Sequence, residues 1–336
     1  MKLPLLVKRL SLLLSVTACL LARPATAQTM CVWDPLGSQG DYSNMFKDYQ
    51  LAAKRWNIAL DLKTYTDEGK AAAAFKNGDC DIANMLGVRA RELNGFTSTI
   101  EAPGSIDNYS QMRSVLELLN TDKAEKYMTV GDYEVVGIVP MGAGYPFVND
   151  RGMRTMKGVV GKRMAVMSWD PLQPKFVEQA GVVPVPMDMT QFGSAFNTGK
   201  VDMVILPMVL FKPLELVKGI GANGGIVHRP ALEFTMQVVS RKGKFPPGFG
   251  HSSREYMLTQ MAFALGVIHN AEAAVDQKLW LYATTTELKD YNKTMHDARI
   301  QLTAQGFYDR RMLGILKRIR CQSKAADDPD CAPGQD

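Results

Sequence analysis

Two short patterns occur twice in this chain, in the same order. Trp33-Asp34-Pro35-Leu36 recurs as Trp169-Asp170-Pro171-Leu172. Ala74-Phe75-Lys76-Asn77-Gly78-Asp79-Cys80-Asp81 recurs, as A-F-x-x-G-x-x-D, in Ala195-Phe196-Asn197-Thr198-Gly199-Lys200-Val201-Asp202. Each time, the first pattern closes an apolar segment and the second opens another. Matching motifs at matching points imply two halves built alike.

The intervening segments agree. Met30–Asp34 reads as a buried strand. Asp41–Trp56 reads as a helix, with Met45, Tyr49, Ala52, Ala53 and Trp56 on one face. Ile58–Tyr65 alternates as a strand, Glu68–Lys76 reads as a helix stopped at Asn77-Gly78, and Asp81–Leu86 as a strand. The order recurs with strands at Lys162–Ser168, Val183–Pro186 and Val201–Leu206, and helices at Pro174–Gln179 and Gln191–Asn197. Such β-α-β-α-β units predict a parallel sheet covered by helices in each half. Glu134–Asn149 and Gly225–Arg241 read as extended segments crossing between the halves. Arg254–Asn270, Ala273–Gln305 and Arg310–Arg320 read as helices, the middle one long enough to brace both halves.

The expected fold is therefore α/β with two lobes and long C-terminal helices. One lobe is expected to hold residues 28–135 and 232–260, the other residues 136–231 and 261–321, with a tail at 322–336. The carboxyl ends of the two sheets would meet at a shared cleft, where open α/β sheets bind ligands.

Residues 1–27 read as a secretory signal peptide. A basic start is followed by the apolar run Leu10–Ala22 and by small residues up to Ala27. That run is about 13 residues, short of the ~20 needed to span a bilayer. An alternative is a lipoprotein box ending at Cys19, which would anchor the chain. Val201–Leu216 is interrupted by Asp202, Pro207, Lys212 and Pro213, so no later segment reads as a span. A soluble, periplasmic, monomeric mature protein is expected. Of the 39 basic and 34 acidic side chains, Lys2, Lys8, Arg9 and Arg23 fall in the leader, leaving the remainder close to neutral. That excludes nucleic-acid binding based on clustered cations.

Four cysteines lie beyond the leader, allowing three pairings. Cys31–Cys80 and Cys321–Cys331 are preferred, the second closing a short loop in a polar tail. Zinc is disfavoured by the absence of paired C-x-x-C and nearby His. No metal or cofactor is expected. Gly219-Ile220-Gly221-Ala222-Asn223-Gly224 matches a dinucleotide fingerprint literally. It follows a helix and precedes a strand, the reverse of what phosphate binding needs. The four His are scattered and no nucleophile or acid–base motif stands out, so the chain is not expected to be an enzyme.

The repeated F-x-x-G-x-x-D, the Gly161–Val166 strand and Val183–Met187 resemble periplasmic solute-binding proteins of TRAP transporters. Cys31-Val32-Trp33-Asp34, Gly137-Ile138-Val139-Pro140, Phe147–Arg151 and Phe211–Leu216 are most similar to a group labelled AdeT-like, some with an efflux association. The resemblance implies a type II-like two-lobed binding fold that captures a small solute and presents it to a membrane transporter subunit. The alternative it implies is an accessory role in multidrug efflux of the RND type. Where the TRAP family usually carries a ligand-clamping arginine, this chain has Ala165, which puts an organic-acid ligand in doubt.

Candidate cleft residues follow the strand ends: Trp33, Asp34, Tyr65, Arg89, Arg91, Trp169, Asp170, Pro207 and Phe211. A Trp with a carboxylate in each half suits a cationic ligand. Arg89 and Arg91 suit an anion instead, or a salt bridge to Glu92 or Glu101. Asp before Pro is also a common helix cap, the competing role for Asp170.

Overall fold

The computed structural model describes residues 27–324 and 329–331. The segment read as an export signal, with Cys19, lies outside them apart from Ala27. The strands are β1 (Gln28–Trp33), β2 (Leu60–Tyr65), β3 (Ile82–Leu86), β4 (Thr129–Val130), β5 (Tyr133–Val148), β6 (Arg163–Met167), β7 (Val183–Met187), β8 (Met203–Pro207), β9 (Gly225–Val227), β10 (Glu233–Arg241) and β11 (Trp280–Leu281). The main sheet order is β2-β1-β3-β10-β5-β8-β6-β7. β1 pairs in parallel with β2 and β3, and β6 pairs in parallel with β7 and β8. These are the two parallel units read from the sequence. β10 and β5 join them in antiparallel fashion.

The repeat is physical as well as textual. The N–H of Asp81 donates to Thr29 O at 2.8 Å and its carboxylate accepts the Thr29 N–H at 3.0 Å. Asp202 does the same with Arg163, at 2.8 and 2.9 Å. Gly78 and Gly199 take φ of +87° and +72°, where a side chain is strained. The residue after each, Asp79 or Lys200, donates its N–H to the repeat's Ala O at 2.9 Å. The motif is thus a helix stop that locks the third strand of each unit to the first.

β5 ties the units together. From Tyr133 to Ala143 it pairs with β10, and from Gly144 to Val148 it pairs with β8. One 16-residue strand therefore belongs to both sheets. The extended reading of Gly225–Arg241 is corrected at His228–Leu232, where the chain leaves the ladder around Pro230. The helix expected at Arg254–Asn270 is two helices, Phe249–Thr259 and Met261–Ala273. The helix expected at Ala273–Gln305 is shorter. Trp280 and Leu281 instead pair with Ile226 and Val227, burying both side chains. A capping box, Thr284 with Glu287, then starts the helix Thr285–Ala304.

Both preferred disulfides are formed, Cys31–Cys80 and Cys321–Cys331, with Cα separations of 5.7 and 5.8 Å. The second holds Asp330 among Arg299, Arg320 and Lys324. Arg299 and Arg320 are each 1% exposed and donate onward to the carbonyls of Pro103, Gly104 and Ser105. Burial alone would raise the Asp330 carboxyl; Arg299 and Arg320 outweigh it and hold the group well below its ordinary value. Its contribution to stability is present above the unfolded pKa of about 4 and is lost as pH falls through the lower folded value. Asp330→Asn should lower unfolding free energy by about 3 kcal/mol near neutrality, because the charge that the buried Arg299 and Arg320 share is lost. The gap from wild type should close as pH drops below 4. Denaturant unfolding across pH checks this, and a gap independent of pH would contradict it.

Candidate functional site

The site grows from the ends of β3 and β6. After Leu86 the chain turns through Gly87–Ala90, and two buried carboxylates hold that turn. Glu68 accepts the Leu86 N–H at 3.0 Å and Arg89 Nε at 2.7 Å. Glu101 Oε1 accepts the N–H groups of Gly87 at 3.1 Å and Thr235 at 2.6 Å, plus the Thr235 hydroxyl at 2.7 Å. Burial raises Glu68 against the opposing charge of Arg89. Burial also pushes Glu101 up to about 7, against the Thr235 hydrogen bonds and the charge of Arg91. Neither glutamate was a candidate for ligand contact; Glu68 reads only as a helix start, and Glu101 only as a salt-bridge partner weighed for the arginines.

The turn delivers Arg89 and Arg91 to the other half. The Arg89 guanidinium lies over the Trp169 ring, 3.7 Å from its centroid. Arg91 Nη1 donates to Asp170 Oδ1 at 2.8 Å. Asp170 also accepts the Leu172 N–H at 3.0 Å, so from just before the N-cap Pro171 it holds the first turn of its helix and pairs across the crevice at once. The residues expected to hold a cation and those expected to hold an anion therefore satisfy each other. The salt-bridge partners weighed for the arginines prove different: Arg89 takes Glu68 and Arg91 takes Asp170, while Glu92 pairs with Lys76.

The first tetrapeptide, Trp33–Leu36, is anchored in the same way. Asp34 Oδ1 accepts the Leu36 N–H at 2.8 Å, as Asp170 does for Leu172, and Oδ2 accepts the Ser43 N–H at 2.8 Å. Burial raises the Asp34 carboxyl, with those hydrogen bonds opposing. Asp34 and Leu36 face Met208, Phe211 and Pro213, the segment after β8, across a cavity of about 340 Å³. Phe211 stacks on Phe147 at 5.9 Å. β8 is the repeat partner of β3. Each tetrapeptide thus meets the segment that follows the third strand of the opposite half.

Two more cavities follow the crevice. One of about 270 Å³ lies between Glu68, Lys70 and Arg89 on one side and Trp169, Asp188 and Thr190 on the other. A central one of about 40 Å³ is lined by Arg91, Glu101, Ala165, Gln173, Phe176 and Tyr308. Ala165 presents only a methyl group there. Arg163, at the far end of β6, is engaged by Asp202 at 2.7 and 3.0 Å. Three sequence candidates sit beneath the walls. Trp33 is fully buried, with its backbone paired to the Asn84 amide and its indole N–H unpartnered. Tyr65 lies beside it on β2, and Pro207 ends β8. Asp122, Glu125 and His251 bring donor atoms within 4.8 Å of one another at the surface. Arg254, 3.5 Å from Glu125, opposes a cation there.

Known proteins share this fold. A family model described as solute-binding protein AdeT 1/2 matches residues 50–335. This chain belongs to the AdeT 1/2 solute-binding family. AdeT1 of Acinetobacter baumannii, named a probable solute-binding protein, is 39% identical over 296 residues, 88% of this chain and 97% of AdeT1. A TRAP periplasmic solute-binding protein of Ralstonia eutropha, with (S)-2-acetolactate bound, superposes with a TM-score of 0.73 at 13% identity. That match covers 88% of this chain and 99% of the other. The ectoine-binding protein of a Halomonas elongata TRAP transporter gives a TM-score of 0.68 at 11% identity, over 88% and 99% of the two chains. The fold is that of the two-lobed TRAP binding proteins, as the sequence resemblance implied. The AdeT 1/2 family is one of solute-binding proteins, and none of these comparisons supports the efflux alternative. Among the described residues no helix is long and apolar enough to cross a membrane.

Asp170→Asn keeps an acceptor for the Leu172 N–H but removes the charge facing Arg91. It should raise hydrogen exchange in residues 87–92 and 167–172 by about 5- to 30-fold, the effect of 1–2 kcal/mol. Unchanged exchange in both segments would mean that this pair does not hold the crevice closed.

Proposed function

We propose that this protein captures a small solute in the crevice between its halves, in the periplasm, and presents the closed form to a membrane transporter subunit. It acts by binding and performs no chemistry. The observation that carries this reading is the crossed contact of Arg89 and Arg91 with Trp169 and Asp170. It puts one face of a closing crevice on each half, with β5 as the shared strand about which the halves hinge. Solute contacts fall to Arg91, Trp169 and Asp170 from the closed side and to Asp34 and Phe211 from the wider mouth. Arg89 holds the Trp169 ring in place. Trp33, Tyr65 and Pro207 support these walls from beneath. Closure requires that the solute bind the closed state better than the open one, so contacts on one half alone are insufficient.

Native mass spectrometry of freshly purified protein should reveal a co-purified small molecule. Calorimetry with that molecule should show Trp169→Ala and Phe211→Ala each weakening binding about tenfold, the effect of about 1.4 kcal/mol. Thermal unfolding in the absence of ligand should stay close to wild type. Unchanged affinity in both variants would remove the crevice as the binding site.

A further inference from the structure

The central cavity has a neighbour. A second cavity, of about 50 Å³, lies inside the β6–β8 half and shares Met164, Phe176 and Ile205 with it as a common wall. Its remaining lining is almost wholly apolar and includes Met153, Met156, Met203 and Met295. Methionine side chains are unbranched and soft, so such walls rearrange around a guest at little cost. The two cavities together form an interrupted slot from the crevice into the second half.

The polar groups gather at the crevice end. Arg91, Glu101, Gln173 and Tyr308 line it. Glu101 is 3% exposed, and its Oε2 has no hydrogen-bond partner; neither has Arg91 Nε. A buried polar atom left unpaired costs about 1–3 kcal/mol, so a ligand group that accepts from one and donates to the other is favoured there. Charge is already balanced. Arg91 is neutralised by Asp170 and Arg89 by Glu68. An added carboxylate would meet no uncompensated cation and would face Glu101.

We propose that the captured solute is an elongated molecule with an uncharged hydrogen-bonding head, such as a primary amide, held between Arg91 Nε and Glu101 Oε2. Its apolar chain passes Phe176 into the methionine-lined cavity. This rests on the reading that the crevice captures a solute, and it names the class of solute.

Calorimetry of the intact mature protein with straight-chain primary amides of increasing length, and with the matching carboxylates, tests it. Affinity for the amides should rise about fourfold per added methylene, the worth of about 0.8 kcal/mol, and then level off when the slot is full. Each amide should bind at least about tenfold tighter than its carboxylate. Phe176→Ala should move the levelling-off point to longer chains; Phe176→Leu, a milder change, should move it less. A thermal melt confirms that both variants fold. Carboxylates binding as tightly as amides, affinity independent of chain length, or no amide binding at millimolar concentration would each overturn the proposal. Hydrogen exchange in residues 87–92 and 167–172 during the titration separates it from the capture reading. A polar acid that binds and slows that exchange would leave capture standing and overturn this proposal. Amides that bind with the expected length dependence but leave that exchange unchanged would support the solute class and count against capture.

Discussion

Arg91 on Asp170 and Arg89 on Trp169 are the contacts through which one half of this molecule reads the position of the other. They are made possible by a chain of buried anchors. Glu68 and Glu101 hold the turn after β3, so that the two guanidinium groups leave it in fixed directions. Asp170 is held in turn by the Leu172 N–H, from which it accepts. β5, paired to β10 at one end and β8 at the other, joins the two sheets from which the crevice walls project.

The energies involved are small, and that suits a binding protein. A guanidinium over an indole contributes about 0.5–2 kcal/mol, depending on desolvation. A largely buried ion pair roughly breaks even against the cost of drying its charges. Contacts of this size bias a two-state equilibrium by about one order of magnitude, leaving room for a ligand to shift it further. The central cavity is narrow because the side chains of Arg91, Phe176 and Tyr308 line it.

Much of this was legible in the residues. The repeated Asp-Pro-Leu step forms a hydrogen bond two residues along, Asp34 to Leu36 and Asp170 to Leu172, and the repeated Gly-x-x-Asp step ties the start of the third strand to the first, Asp81 to Thr29 and Asp202 to Arg163. Of the three pairings that four cysteines allow, the preferred one is the one formed. What the sequence concealed was long-range. Nothing local marks Asp170 as the partner of Arg91, 79 residues away, or Glu68 as that of Arg89. Trp280 and Leu281 sit in a helix-like composition, yet the exposed edge of β9 recruits them as a strand. Arg299 and Arg320 look like solvated helix charges until the Cys321–Cys331 loop brings Asp330 between them.

The crossed contacts can be tested most directly by a distance across them. Lys70 and Thr190 are exposed residues on opposite walls of the cavity beside Arg89 and Trp169. Spin labels at these two positions report their separation by pulsed electron resonance. The wild-type background should give one short, narrow distribution. Combining Arg91→Ala with Asp170→Asn should broaden it and move it to longer distances. The same distribution in both backgrounds would mean that the halves are held by something other than the contacts between their repeated motifs.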